Sequence, residues 1–225
     1  MSLTIAGKCE PETEQLDRLE KAGFTAVELY TSTEMLDNRS VRDIIDTCTT
    51  HSLDIVSVHT PHLDINNDRT DYFSITDTIA TKLQSTLVLD AYPLSIYATR
   101  NLYPPETISA ENYGYENDPS VSKFYIRANH LPDYPLILDT AHLHMSEESY
   151  IPFIEELIAN YSERIPVIHL AEGTRKDDGK PFEQGTVELK RIIRLLDRYN
   201  YSNPVVLETP KKDQSEALEF SNSFL

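Results

Sequence analysis

Short apolar runs recur along the chain, separated by longer amphipathic stretches. The runs are LTIAG (3–7), AVELY (26–30), DIVSVH (54–59), TLVLDA (86–91), TISAEN (107–112), LILDT (136–140), PVIHLA (166–171) and PVVLET (204–209). Each has the length of a strand, and near-continuous apolarity is what a strand buried on both faces requires. The intervening segments place apolar residues three and four apart. EQLDRLEKAG carries Leu16, Leu19 and Ala22 and stops on Gly23, a C-cap residue. SVRDIIDTCTTH starts on Ser40 as an N-cap, and TVELKRIIRLLDRYN sets Val187, Ile192, Leu195, Leu196 and Tyr199 on one broad apolar stripe.

Alternation of strand and amphipathic helix predicts a parallel sheet covered by helices. Eight such units predict an α/β fold, a (β/α)8 TIM barrel, with residues 1–225 forming one domain. The chain is shorter than the roughly 250 residues usual for that barrel. The shortening is expected between strands four and five, where residues 91–107 are rich in Pro and Tyr and a loop or turn replaces the usual helix. An open doubly wound sheet is the alternative, but neither GxGxxG nor GxxxxGK[ST] is present to supply its phosphate loops.

Composition narrows the class. No low-complexity tract occurs, and no apolar run approaches the roughly 18 residues of a membrane span. The start, MSLTIAGKCEPETEQ, lacks a basic segment followed by an apolar one, so a cytoplasmic location is expected. The formal charge is −17, from 37 acidic and 20 basic side chains, with no Lys/Arg cluster to act as a basic footprint beyond the short PKK (210–212). Nucleic acid is therefore a disfavoured partner, because gripping a phosphate backbone needs a basic footprint. Cys9 and Cys48 lie far apart without CxxC spacing, so neither a zinc knuckle nor a disulfide framework is expected.

Ionisable residues gather at the C-terminal ends of the predicted strands: Glu28, His59 with His62, Asp90, Glu111, Asp139 with His142, His169 with Glu172, and Glu208. In a barrel these ends share one mouth. Taken singly, a strand-end carboxylate is more often a helix cap or an ion-pair partner, and a lone His51 or His130 a surface residue. Taken together they would bury uncompensated charge around a ring, which a divalent cation relieves. A mixed Glu, Asp and His set suits one Mn²⁺, Mg²⁺, Co²⁺ or Zn²⁺ ion. The expected ligands are Glu111, Asp139, His169 and Glu208, one from each of the last four strands, leaving positions open for substrate oxygens or water.

A Glu ending strand five, DTAH (139–142), HLAEGTR (169–175) followed by FEQGTVEL, and LETP at strand eight together resemble the xylose isomerase-like barrel superfamily. The ketose 3-epimerase and hydroxypyruvate isomerase types are the most similar at the motif level, over strands two to eight. The resemblance implies a metal-dependent sugar or sugar phosphate isomerase or epimerase of carbohydrate metabolism. Glu111 and Glu208 would move a carbon-bound proton while the metal stabilises an enediolate. His59, His142 and Arg175 would contact the small carbohydrate substrate, with Glu172 orienting a neighbour. Proton removal next to a carbonyl requires that the developing oxyanion be stabilised, which agrees with a metal there.

SVHTPHLDINN (57–67) resembles instead the endonuclease IV-type abasic-site nucleases of the same superfamily. That resemblance implies a phosphodiesterase with two or three zinc ions held by His59, Glu111, Asp139, His142, His169 and Glu208. Two departures weaken it: Asp90 stands where the nucleases have His, and the Asp-x-His of the loop after strand seven reads DDG (177–179), leaving Gly179 for the second His. A metal-binding barrel without catalysis is the third reading. Glu28 suits a substrate contact or a loop partner equally, and His144 has no assigned role. Tyr92, Tyr97, Tyr103, Tyr113 and Tyr115 suit core packing or a contact in a homo-oligomer better than a roof over the pocket.

Overall fold

Eight parallel strands close into a barrel in chain order, with β8 returning to β1. The structure is a computed structural model that describes residues 3–62, 70–89, 105–119 and 134–224. The strands are β1 (Ile5–Cys9), β2 (Ala26–Tyr30), β3 (Asp54–His59), β4 (Thr86–Leu89), β5 (Tyr113–Glu116), β6 (Leu136–Asp139), β7 (Val167–Ala171) and β8 (Val205–Glu208). The described α-helices are α1 (Thr13–Ala22), α2 (Thr33–Asn38), α3 (Val41–Thr49), α4 (Thr70–Leu83), α5 (Thr140–Ser146), α6 (Tyr150–Tyr161), α7 (Leu189–Arg198) and α8 (Gln214–Asn222). This is the predicted (β/α)8 barrel. None of the described helices is long and apolar enough to cross a membrane.

Local chemistry sets the helix ends where the sequence places them. Gly23 closes α1 in the left-handed conformation, φ 95°, which costs glycine nothing. Ser40 opens α3 with a capping box, its hydroxyl accepting from the Asp43 amide while the Asp43 carboxylate accepts from the Ser40 amide. On α7, Leu189, Ile192, Ile193, Leu195 and Leu196 are buried, whereas Tyr199 is exposed and donates its hydroxyl to Glu155.

The apolar interior has two parts. One lies between strands and helices. The other fills the barrel with Ala6, Ala26, Val88, Ile137, Val167 and Val206, a layer drawn from six strands.

Strand five departs from expectation. TISAEN is not a strand: residues 105–107 form a 3₁₀ turn, and β5 is YGYE, Tyr113–Glu116. A side chain at Gly114 would meet Ile137 and Pro166, so close approach inside the barrel requires the glycine. Tyr115 is fully buried and packs edge-on against Tyr134, a core role. The expected shortening after strand four falls largely on residues 90–104, outside the described residues, as do Asp90, Tyr92, Tyr97, Tyr103 and His130.

Candidate metal centre at the barrel mouth

Side chains two apart on a strand face the same way. Among the described residues, those two positions beyond the interior layer and Gly114 are Lys8, Glu28, Glu116, Asp139, His169 and Glu208. The polar layer is thus the next storey of the barrel core, at the C-terminal strand ends where barrel enzymes build their sites. On β3, Ser57 lies opposite Glu28 and His59 opposite Tyr30 in the strand register, which brings both into the same ring.

Glu116, Asp139, His169 and Glu208 each offer one ligand atom, and these atoms all lie within 4.8 Å of one another. His169 is central and fully buried: Nδ1 lies 2.9 Å from Glu116 Oε1 and 3.1 Å from Glu208 Oε2, while Nε2 lies 3.0 Å from Glu28 Oε2. Glu28 Oε2 also accepts from Ser57 Oγ at 2.7 Å. A carboxylate behind an imidazole in this way fixes the ring and directs its other nitrogen towards a metal. His59 Nε2 meets Glu116 Oε2 at 3.1 Å, and its Nδ1 meets the Thr60 carbonyl at 2.7 Å. Asp139 ends β6 and caps α5, its Oδ1 accepting from the His142 amide at 2.6 Å.

The charges press on one another. Burial, with Glu208 and Glu116 close by, pushes the Asp139 carboxyl up to about 7 although His142 opposes the rise. Burial would also raise Glu116 and Glu208, but the His169 charge holds Glu116 well below the usual carboxylate range, and Lys8 with His169 does the same for Glu208. Glu28 falls to about 2, because His169 and Lys8 outweigh its burial. Glu208 Oε2 is buried without a hydrogen bond. Three carboxylates and one imidazole, their ligand atoms within 4.8 Å of one another, are a donor set that fits a hard or borderline divalent ion.

The ring opens on a cavity of about 150 Å³ lined by His59, His62, Glu116, Asp139, His142 and Glu208 among others. An adjoining groove of about 320 Å³ shares His62, Gly179 and Glu208 and extends to Lys8, Tyr30 and Lys211. His142 stands at the wall, held by the Asn117 carbonyl at Nδ1 and by Asp178 at Nε2, each at 2.8 Å.

Asp139, His169 and Glu208 come together as the sequence suggests, and His59 and His142 reach the cavity. Three expected residues do not. Glu111 is exposed in the turn before β5, and Glu116 takes its place, because the strand begins later than TISAEN implied. Glu172 follows Ala171, whose side chain faces the cavity, so Glu172 turns outward and receives the amides of Gly173, Val187 and Glu183. Arg175 donates to the carbonyls of His144, Glu147 and Glu148, satisfying the end of α5. His144 is buried against Tyr150 and bonded to Thr186. Lys8, Glu116 and Asp178 were missed. The period-2 register counted from Ala6 and Gly114 is the signal that locates the first two.

Residues 106–224 match the model of the xylose isomerase-like TIM barrel family. No curated protein matches the sequence. Solved structures do share the fold. A xylose isomerase domain protein from Planctomyces limnophilus is 14% identical with a TM-score of 0.72, covering 99% of this chain and 96% of that one. The D-allulose 3-epimerase from Methylomonas sp. in complex with D-allulose is 12% identical with a TM-score of 0.69, covering 99% and 97%. An AP endonuclease, family 2, from Brucella melitensis is 14% identical with a TM-score of 0.69, covering 99% of each chain.

Proposed function

The chain belongs to the xylose isomerase-like TIM barrel family, and from that premise we propose that it is a divalent-metal-dependent isomerase or epimerase of a small sugar or sugar phosphate. The observation that carries the reading is the convergence of Glu116, Asp139, His169 and Glu208, ligand atoms within 4.8 Å of one another, beside a partly enclosed cavity. These four would hold the ion, one of Mn²⁺, Mg²⁺, Co²⁺ or Zn²⁺. When bound, it supplies a Lewis acid that stabilises negative charge on substrate oxygens.

The chain's own residues do the rest. Glu116 and Glu208 flank the cavity as the pair that removes and returns a carbon-bound proton, each with a partner fixing one of its oxygens: His59 on Glu116 Oε2 and Lys8 on Glu208 Oε1. Such positioning replaces the search of a free base for its proton. His142, held at Nδ1 by the Asn117 carbonyl, would offer Nε2 to a substrate hydroxyl in exchange for its bond to Asp178. Glu28 holds His169 in place from behind.

The nuclease reading draws on His59 at the cavity wall and on the Brucella likeness. It lacks the loop imidazole, since Gly179 stands there, and the acidic chain offers little to a phosphate backbone.

The test is isotope exchange. Protein loaded with Mn²⁺ is incubated in D₂O with a panel of ketoses and their phosphates, and in parallel with abasic-site duplex DNA. We expect deuterium at carbon in at least one recovered sugar, lost in Glu208→Gln, with the duplex intact. Metal-loaded protein that exchanges no sugar but nicks the duplex would give the reaction to the nuclease class, and inertness to both would favour a binding barrel.

A further inference from the structure

Two clusters of ligand-type side chains meet at His169. One is Glu116, Asp139, His169 and Glu208; the other is Glu28, His59 and His169. The imidazole offers Nδ1 to the first and Nε2 to the second, an arrangement that could bridge two ions. A cation is already built in at their junction. Lys8 Nζ lies 3.1 Å from Glu28 Oε1 and 2.6 Å from Glu208 Oε1, so one ammonium binds a carboxylate of each cluster. Its side chain is only 14% exposed, and it stands directly opposite Glu28 in the β1–β2 register.

Resting on the metal reading above, we propose that the Lys8 ammonium takes the place of a second divalent ion and limits the centre to one metal. Three consequences follow from the geometry. Glu28 Oε1 lies 3.1 Å from the Lys8 ammonium and its other oxygen is bonded to His169 and Ser57, so an ion at Glu28 would have to displace the ammonium. Glu208 is tethered through Oε1, which leaves only Oε2 for a metal. An ion in the second cluster would face a buried like charge a few ångström away, where little water screens it. Lys8 is thus a positioning residue that selects mononuclear chemistry, the kind a proton-transfer isomerase uses, over cluster-based phosphodiester cleavage.

Metal stoichiometry decides the matter. The full chain, stripped of metal and dialysed against Co²⁺, should bind one ion, and Mn²⁺ bound to it should give the electron paramagnetic resonance signal of an isolated ion. Lys8→Gln should bind two, the second at least about tenfold more tightly than wild type does, with the signal of a coupled Mn²⁺ pair. Lys8→Arg, which keeps the charge, should bind one. The double variant Lys8→Gln, Glu28→Gln should also return to one, an outcome that mere loss of packing would not produce. Two ions in the wild type, or one ion in a folded Lys8→Gln, overturns the proposal while leaving a metal-dependent enzyme standing. No ion in the wild type overturns both. If circular dichroism shows Lys8→Gln unfolded, Lys8→Ala, which leaves room for water beside Glu28, is read by the same criteria.

Discussion

A methyl group at Gly114 would come within 2.6 Å of Ile137 Cδ1 and 2.9 Å of Ile137 Cγ1, in a layer where Ile137 is wholly buried and hemmed in. Gly114→Ala should therefore lower stability by about 1–3 kcal/mol, the usual cost of overfilling a packed core. Chemical denaturation measures it, and a variant as stable as wild type would show that β5 sits further from β6 than described. The two thiols give a second prediction at this scale. Burial pushes Cys9 up to about 12, with Cys48 adding to the rise, and pushes Cys48 up to about 11. A raised thiol value favours the unreactive protonated form, so at pH 8 almost no thiolate exists in the folded chain. Native protein should leave a disulfide reagent such as Ellman's untouched for as long as it stays folded, and release two equivalents once denatured. Rapid labelling of the native chain would contradict the buried placement of both.

Among the elements, seven strands are legible as apolar runs and one is not, for a physical reason. Apolar content finds a strand buried on both faces, but β5 reads Tyr-Gly-Tyr-Glu, and its glycine serves packing rather than turning. The slip displaced one member of the proposed ligand set, from Glu111 to Glu116, while Asp139, His169 and Glu208 stayed in place because their strands end in unmistakable runs. Glu172 and Arg175 lie away from the ring for a different reason. The motif HLAEGTR gives their spacing but not the side on which each leaves the strand, and past Ala171 the chain turns its side chains into the loop. That loop is organised by one carboxylate. Glu172 Oε1 accepts from Gly173 and Val187 at 3.0 and 2.9 Å, and Oε2 accepts from Glu183 at 3.2 Å. Glu172→Ala should speed amide exchange across residues 173–187 by at least about tenfold, since several buried donors lose their acceptor at once. Exchange should be unchanged in α3 and α8. An effect confined to the cavity wall, with the loop still protected, would return Glu172 to the role expected from the motif, orienting a neighbour in the site.

At the scale of the whole molecule, the folded chain gathers a ring of carboxylates at one end of a barrel whose formal charge is already −17. Unfolding disperses them. A divalent ion that binds only the folded ring must therefore stabilise the fold, by about 2.7 kcal/mol at a hundred times its dissociation constant. For a chain of this size that corresponds to a rise in Tm of roughly 5–10 °C. The ring predicts more than a general salt effect. Sodium chloride at matched ionic strength screens the surface charge but cannot bridge the clustered carboxylates, so it should reproduce only a small part of the rise. Asp139→Asn, which removes a ligand and lightens the repulsion, should raise the Tm of the metal-free protein and abolish most of the further gain on adding Mn²⁺ or Co²⁺. Those two changes have opposite signs and a common cause, the burial of the Asp139 charge beside Glu208 and Glu116. Calorimetric scans of both proteins, with and without the ion, separate them. If the metal increment survives Asp139→Asn in full, the ion binds somewhere other than the barrel mouth.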